Sequence, residues 1–316
     1  MSRHLVDPQL VAALEMFAPL DMDLSRINET RALFEGMYPP VEAYARPSVS
    51  IEKIAVPGPD GAPDVPVTIY RPVQAEGPLP VFLHIHGGGY LFGSPAGSGP
   101  ANVRTASELR CIVASVDYRL APETRAPGAV EDCYAVLAWL NRHADRLGID
   151  KMRIAVGGES AGGGLAAALT LLARDRGDYA LCFQMLIYPM LDDRTCVRPD
   201  INPHVGQFVW RPEYNMFGWS CYLGVKPGSA DVSPYAAAAR ATDLAGLPPA
   251  YLCVGSLDLF LEEDMDYAAR LMAAGVTVEM QVYPGAYHAF EMAFESDVAV
   301  RAEADRRRAL AAAFAS

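Results

Sequence analysis

The stretch Gly158-Glu159-Ser160-Ala161-Gly162 constrains the fold of this chain more than any other. It lies where an apolar run, Arg153 to Val156, meets a run of small residues of helical character, Gly163 to Ala173. A serine flanked by glycines at such a junction predicts a tight strand-to-helix turn that presents its hydroxyl. Glycine is needed there because the turn brings backbone against backbone and leaves no room for Cβ atoms beside the serine. The helix that follows aims its N-terminal amides at any negative charge forming next to Ser160. Taken alone, the pattern also fits an ordinary glycine-rich β–α turn.

Three further signals bear on the choice. His86-Gly87-Gly88-Gly89-Tyr90 closes the apolar run Val81 to Ile85, and backbone N–H groups in consecutive glycines can converge on the oxyanion of an acyl-transfer intermediate. A flexible surface loop is the plain alternative, disfavoured by the apolar strand before the motif and by Tyr90 and Phe92 around its end. His86 either takes part in chemistry or, as is usual before such a loop, locks it by hydrogen bonding. Asp258 follows the run Ala250 to Val254 and Gly255-Ser256-Leu257, on the loop at a strand's carboxyl end, where it is either an acid partner or the N-cap of a helix from about Phe260. Glu262, Glu263, Asp264 and Asp266 compete with it, but they fall along that helix and are expected to act through helix N-terminal charge. His288 sits in Pro284-Gly285-Ala286-Tyr287-His288-Ala289-Phe290, after the alternating run Val276 to Val282. A serine hydroxyl needs a base to take its proton and an acid to fix the base's tautomer, and these loops supply both.

These motifs, with Asp117-Tyr118-Arg119-Leu120-Ala121-Pro122-Glu123 between them, resemble the bacterial branch of the hormone-sensitive lipase family of α/β-hydrolases. They run from residue 86 to 290 in the family's order of serine, acid, histidine. The resemblance implies a catalytic triad of Ser160, Asp258 and His288, an oxyanion hole from the amides of Gly88, Gly89 and Ala161, and carboxylic ester hydrolysis with no metal or organic cofactor. Glu159 departs from the pattern, because the family usually carries Asp or Thr before the nucleophile; the longer carboxylate puts the neighbouring hydrogen bonds in question. Two other readings remain open. The same triad can attack an amide, making an amidase or deacylase. A non-catalytic small-molecule receptor on the same fold is the other, and retention of Ser160, Asp258 and His288 together argues against it.

A net charge of −12 over 316 residues argues against a nucleic-acid partner or an anionic membrane. The expected partner is a small-molecule ester, and a homodimer is left open. The first residues lack a basic region followed by an apolar core, so no secretory signal is expected. Ala161 to Ala173 is too short and too rich in Gly, Ala and Thr to span a bilayer. Six cysteines show no paired spacing, which points to a reducing cytoplasm, and no His, Cys or carboxylate cluster has metal-site spacing. Asp192-Asp193 reads as two solvated loop carboxylates.

The remaining pattern alternates. Strands are expected at Val49 to Val56, Val65 to Tyr70, and near 81–86, 111–117, 153–157, 182–188, 250–254 and 276–282. Helices are expected near 99–109, 128–146, 161–175, 261–274 and 297–313. This is an α/β fold, an α/β-hydrolase with a mostly parallel central sheet, helices on both faces and a small helical cap. Residues 1–47 form an N-terminal helical cap segment, and 48–316 form the catalytic domain. Within the latter, 190–225 is a cap insertion carrying Phe208, Trp210, Tyr214, Met216, Phe217, Trp219 and Tyr222, which would supply an apolar pocket for small to medium acyl esters.

Overall fold

The central strands are apolar at nearly every position, because both of their faces are covered. Every residue of β3 (Leu79–Ile85), β4 (Ile112–Val116), β6 (Phe183–Ile187) and β7 (Ala250–Gly255) is buried, which is the signature of parallel strands between two helical layers. The structure is a computed structural model that describes residues 2–17 and 19–315. With β1 (Val49–Val56), β2 (Val65–Pro72), β5 (Ile149–Glu159) and β8 (Val278–Tyr283), these strands form one eight-stranded sheet of order β1-β2-β4-β3-β5-β6-β7-β8. β1 and β2 pair antiparallel with each other, and β2 with β4; all other pairings are parallel.

Among the described residues eight α-helices accompany the sheet: α1 (Ile27–Gly36), α2 (Gly99–Leu109), α3 (Gly128–Arg142), the single turn α4 (Ala144–Leu147), α5 (Ala161–Arg176), α6 (Pro212–Leu223), α7 (Leu261–Ala273) and α8 (Asp297–Ala315). Leu137 of α3, Leu169 of α5 and Leu271 of α7 belong to the apolar layer on one face. Val103 of α2 and Ala302 of α8 belong to the other. In-register pairs such as Ile85↔Gly158, Glu159↔Ile187 and Gly255↔Tyr283 bring the carboxyl ends of five strands to one edge. In sheets of this kind ligands bind beyond that edge.

Several local expectations are corrected. The helix expected over 128–146 breaks at His143 into α3 and α4. Among its described residues the N-terminal segment holds one α-helix, α1, beside short 3-10 turns and irregular chain, because its apolar residues serve scattered contacts rather than a continuous stripe. Asp193 is not solvated. It is fully buried, accepts two 2.8 Å hydrogen bonds from Arg240 and one of 2.7 Å from the Gly228 amide, so its charge is paired rather than hydrated. Glu263 and Asp264 are likewise buried. Glu263 accepts from the amides of Leu191 and Asp192 and from Thr195, tying α7 to the chain after β6. Asp264 has no hydrogen-bond partner at either oxygen among the described residues, and burial holds its carboxyl well above the usual range.

Candidate active site

Ser160 occupies the turn between β5 and α5 with φ 56° and ψ −120°, a conformation that non-glycine residues rarely adopt and that concentrates at functional sites. The strain is held by backbone: the Ser160 amide donates to Ile187 O, and Ser160 O accepts from the amides of Gly164 and Met190, each at 2.9 Å. Gly158 must be glycine, since a Cβ there would lie 2.1 Å from Ile85 O.

His288, on the loop after β8, reaches back to this turn. Ser160 Oγ donates to His288 Nε2 at 2.9 Å, and His288 Nδ1 donates to Asp258 Oδ2 at 2.8 Å. All three residues are buried, with exposures of 6% for Ser160, 1% for Asp258 and 5% for His288. The two readings of Asp258 turn out to be compatible, because its second oxygen, Oδ1, accepts from the Phe260 amide at 3.0 Å just ahead of α7. The imidazole is boxed by rings: Tyr188 and Phe260 meet it edge-on at 4.7 and 5.2 Å, and Trp210 lies 6.2 Å away.

The glycine loop lies alongside. Gly88 (φ 122°) and Gly89 (φ 60°) take backbone conformations closed to most residues. Their amides and that of Ala161, the first residue of α5, have no hydrogen-bond partner among the described residues. His86 makes no hydrogen bond to Ser160. Its Nδ1 donates to Gly87 O at 2.8 Å, its ring stacks on Tyr118 at 4.4 Å, and burial depresses its pKa to about 4. Tyr118 also donates to His86 O at 3.0 Å, and the Ala121 amide donates to Tyr90 O at 2.9 Å. The Asp117–Glu123 motif is thus the bed on which the glycine loop rests.

Glu159 lies in the same floor. His84 Nε2, from β3, donates to its carboxylate at 3.1 Å, and the other face of His84 meets Ser115 and Asn102. Burial alone would raise the Glu159 carboxyl, but His84 and the charge of Arg306 outweigh it and hold the group below its usual range.

A cavity of about 380 Å³ opens over Ser160 and His288, within the span of small-molecule sites. Its walls include Phe17, Leu20, Phe34 and Tyr38 from the N-terminal segment and Val209 and Trp210 from the chain between β6 and β7. A hydroxyl bonded to an imidazole, the imidazole bonded to a carboxylate, and free amides in the adjoining loop are an arrangement that can carry acyl transfer.

A profile described as the α/β-hydrolase fold matches residues 82–292. Carboxylesterase NlhH of Mycobacterium tuberculosis is 34% identical over 295 residues, covering 92% of this chain and 90% of that protein. The chain belongs to the hormone-sensitive lipase-like family of α/β-hydrolases. Among solved structures, a bacterial heroin esterase superposes with TM-score 0.93 at 41% identity over the full length of both chains. Esterase LipW from Mycobacterium marinum does so with TM-score 0.89 at 33% identity, covering 100% of this chain and 98% of that one. As a member of this family the protein is a carboxylic ester hydrolase. Among the described residues no helix is long and apolar enough to cross a membrane.

The family motifs do not reveal everything at this edge. Tyr188 follows β6 with φ 34° and walls His288; a residue one step past a parallel strand was a readable signal. Glu291 and Arg306 also line the cavity, and neither carries a sequence signal, since Arg306 sits among the charged residues of α8.

Proposed function

We propose that this esterase hydrolyses small to medium acyl esters through an acyl-enzyme on Ser160. His288 takes the hydroxyl proton as Ser160 attacks the ester carbonyl and returns it to the departing alcohol. The same histidine then takes a proton from water, whose oxygen attacks the acyl carbon, and the acid leaves with Ser160 restored. Asp258 holds the tautomer and stabilises the imidazolium. The amides of Gly88, Gly89 and Ala161 receive the oxyanion, each worth on the order of 3 kcal/mol where such donors have been removed.

The observation that carries this reading is the unbroken chain Ser160–His288–Asp258 at 2.9 and 2.8 Å beside unpartnered amides. Esterase names among the relatives support it. The N-terminal segment and residues 190–225 act as the cap. Their rings close a cavity of about 380 Å³, suited to acyl chains of about four to eight carbons. Six free cysteines suit work in a reducing cytoplasm.

Ser160→Ala is expected to lower p-nitrophenyl ester turnover on the order of a million-fold with the melting temperature preserved. An organophosphonate should label Ser160 alone. Labelling elsewhere, or an active alanine variant, sinks the assignment, and faster turnover of a matched anilide would turn the reading to an amidase.

A further inference from the structure

The cavity lining has two characters. Phe34 stacks on Phe92 at 4.4 Å, and Trp210 packs against Gly89 and His288; this part is apolar. Another part is built from Glu159, Tyr188, Glu291 and Arg306. Arg306 comes from α8 and leaves only 12% of its side chain exposed. Its guanidinium lies over the Tyr188 ring at 5.8 Å, and Tyr188 in turn donates to Glu291.

This cluster is incompletely satisfied. Arg306 Nε and Nη2 and Glu291 Oε2 are buried without a hydrogen-bond partner among the described residues. The closest approach between the two side chains, Nη2 to Oε2, is 3.9 Å, too long for a hydrogen bond. Burying a guanidinium with unpaired donors is costly, and native interiors keep such groups where a ligand or ordered water completes them.

We propose that this stretch is a subsite for a neutral polar group of the ester, a carbonyl, ether or hydroxyl oxygen that accepts from Arg306. The enzyme then prefers esters carrying such an oxygen over purely aliphatic ones of equal length. The inference rests on the esterase reading above. Charge selects the neutral class: a carboxylate would meet Glu291 and Glu159, and an ammonium would meet the guanidinium. An aliphatic tail would leave the Arg306 donors unpaired, which is how a polar site rejects an apolar analogue.

Four p-nitrophenyl esters test the acyl side: hexanoate, 5-oxohexanoate, monoadipate and 6-aminohexanoate. Butyrate esters of 1-pentanol and of 5-hydroxypentan-2-one test the alcohol side. The keto compound should lead its aliphatic partner about tenfold in kcat/KM in at least one series, the scale of one charge-assisted hydrogen bond. Both charged acyl esters should fall below hexanoate. Arg306→Met should erase the keto advantage. Because that change strands Glu291, the double variant Arg306→Met/Glu291→Leu is measured beside it, with melting curves to establish folding, and the wild-type ranking stands without either. Equal rates for keto and aliphatic esters in both series, or a keto advantage that survives loss of Arg306, overturns the subsite. Hydrolysis of p-nitrophenyl acetate reports the esterase reading separately, since a two-carbon acyl group asks nothing of a distant subsite.

Discussion

The sheet edge and the cavity walls are assembled by different means. At the edge, Ser160, Asp258 and His288 come from three loops, but each loop leaves a strand whose register is fixed by a ladder of backbone hydrogen bonds. The walls hang on isolated contacts, made by side chains and by single backbone bonds such as Asp7 N to Gly285 O at 3.1 Å. Leu20 N donates to Tyr214 Oη at 3.2 Å, the Ser2 amide donates to Gln207 Oε1 at 2.7 Å, and Tyr287 Oη donates to Leu10 O at 3.0 Å. Many cooperative bonds hold the proposed triad, whereas isolated contacts hold the cavity walls. Single substitutions in the walls should therefore change which ester is bound, and substitutions at the edge should change whether it reacts.

The sharpest test of the edge is Asp258→Asn. The amide oxygen can still accept from the Phe260 amide, so the start of α7 is kept, but the amide nitrogen now faces His288 Nδ1 and favours the wrong tautomer. A fall in kcat of about 10⁴ with little change in melting temperature is expected. Asp266→Asn, at an exposed site on α7, should leave kcat near wild type. Near-normal turnover in the Asp258 variant would mean that the acid is another residue, and the account of the edge would break.

The same contrast explains what could be read from the chain. Strand runs and the loops after them are local: Gly158 to Gly162 and the glycines after His86 announce a backbone geometry in their own residue types. Glu263 looked like a helix-start charge because its burial depends on Thr195 and the Leu191 amide, 68 and 72 residues away in the chain. Asp193 misled for the same reason, its partner Arg240 being 47 residues distant. Arg306 and Glu291 meet only because α8 packs under the edge. Long-range pairing of polar side chains leaves no periodicity to read, which is why these buried charged side chains are not legible in the sequence, whereas the cap segments with Trp210 are.

The next effect belongs beneath the edge. Burial depresses His86 to about 4, against about 6.5 for an unperturbed imidazole. The unfolded chain therefore binds a proton in a window where the native state does not. The stability contributed by keeping His86 neutral is fully present above pH 6.5 or so and is lost as pH falls toward 4, on the order of 3 kcal/mol in all. Asp117, raised to about 6 by its own burial, works in the opposite direction over the lower part of that window, so the total slope hides the contribution. Comparing unfolding free energies of wild type and His86→Asn from pH 7 to 4 isolates it. The variant should lose less stability on acidification, and parallel curves would show that His86 titrates normally.

The smallest effect falls on the walls, and Arg31 of α1 is the place to look. Its guanidinium donates to Leu91 O at 2.8 Å and Ala121 O at 2.7 Å, and pairs with Glu123. Glu123 is 59% exposed, so that ion pair contributes little; the two carbonyl bonds fasten α1, and with it Phe34 and Tyr38, to the rest of the cavity. Arg31→Met keeps the apolar stem and removes every donor. We expect KM for p-nitrophenyl hexanoate to rise about tenfold while kcat stays within about twofold, the pattern of lost binding common to ground and transition states. The acetate ester should be nearly indifferent. Stability should fall by about 1–2 kcal/mol. The informative alternative is an equal drop in kcat for both esters. Leu91 also donates its amide to Gly88 O at 3.0 Å, so such a drop would mean that Arg31 reaches the free amides of the glycine loop through Leu91. The wall would then be part of the reacting edge, and the division between the two regions would fail at that residue.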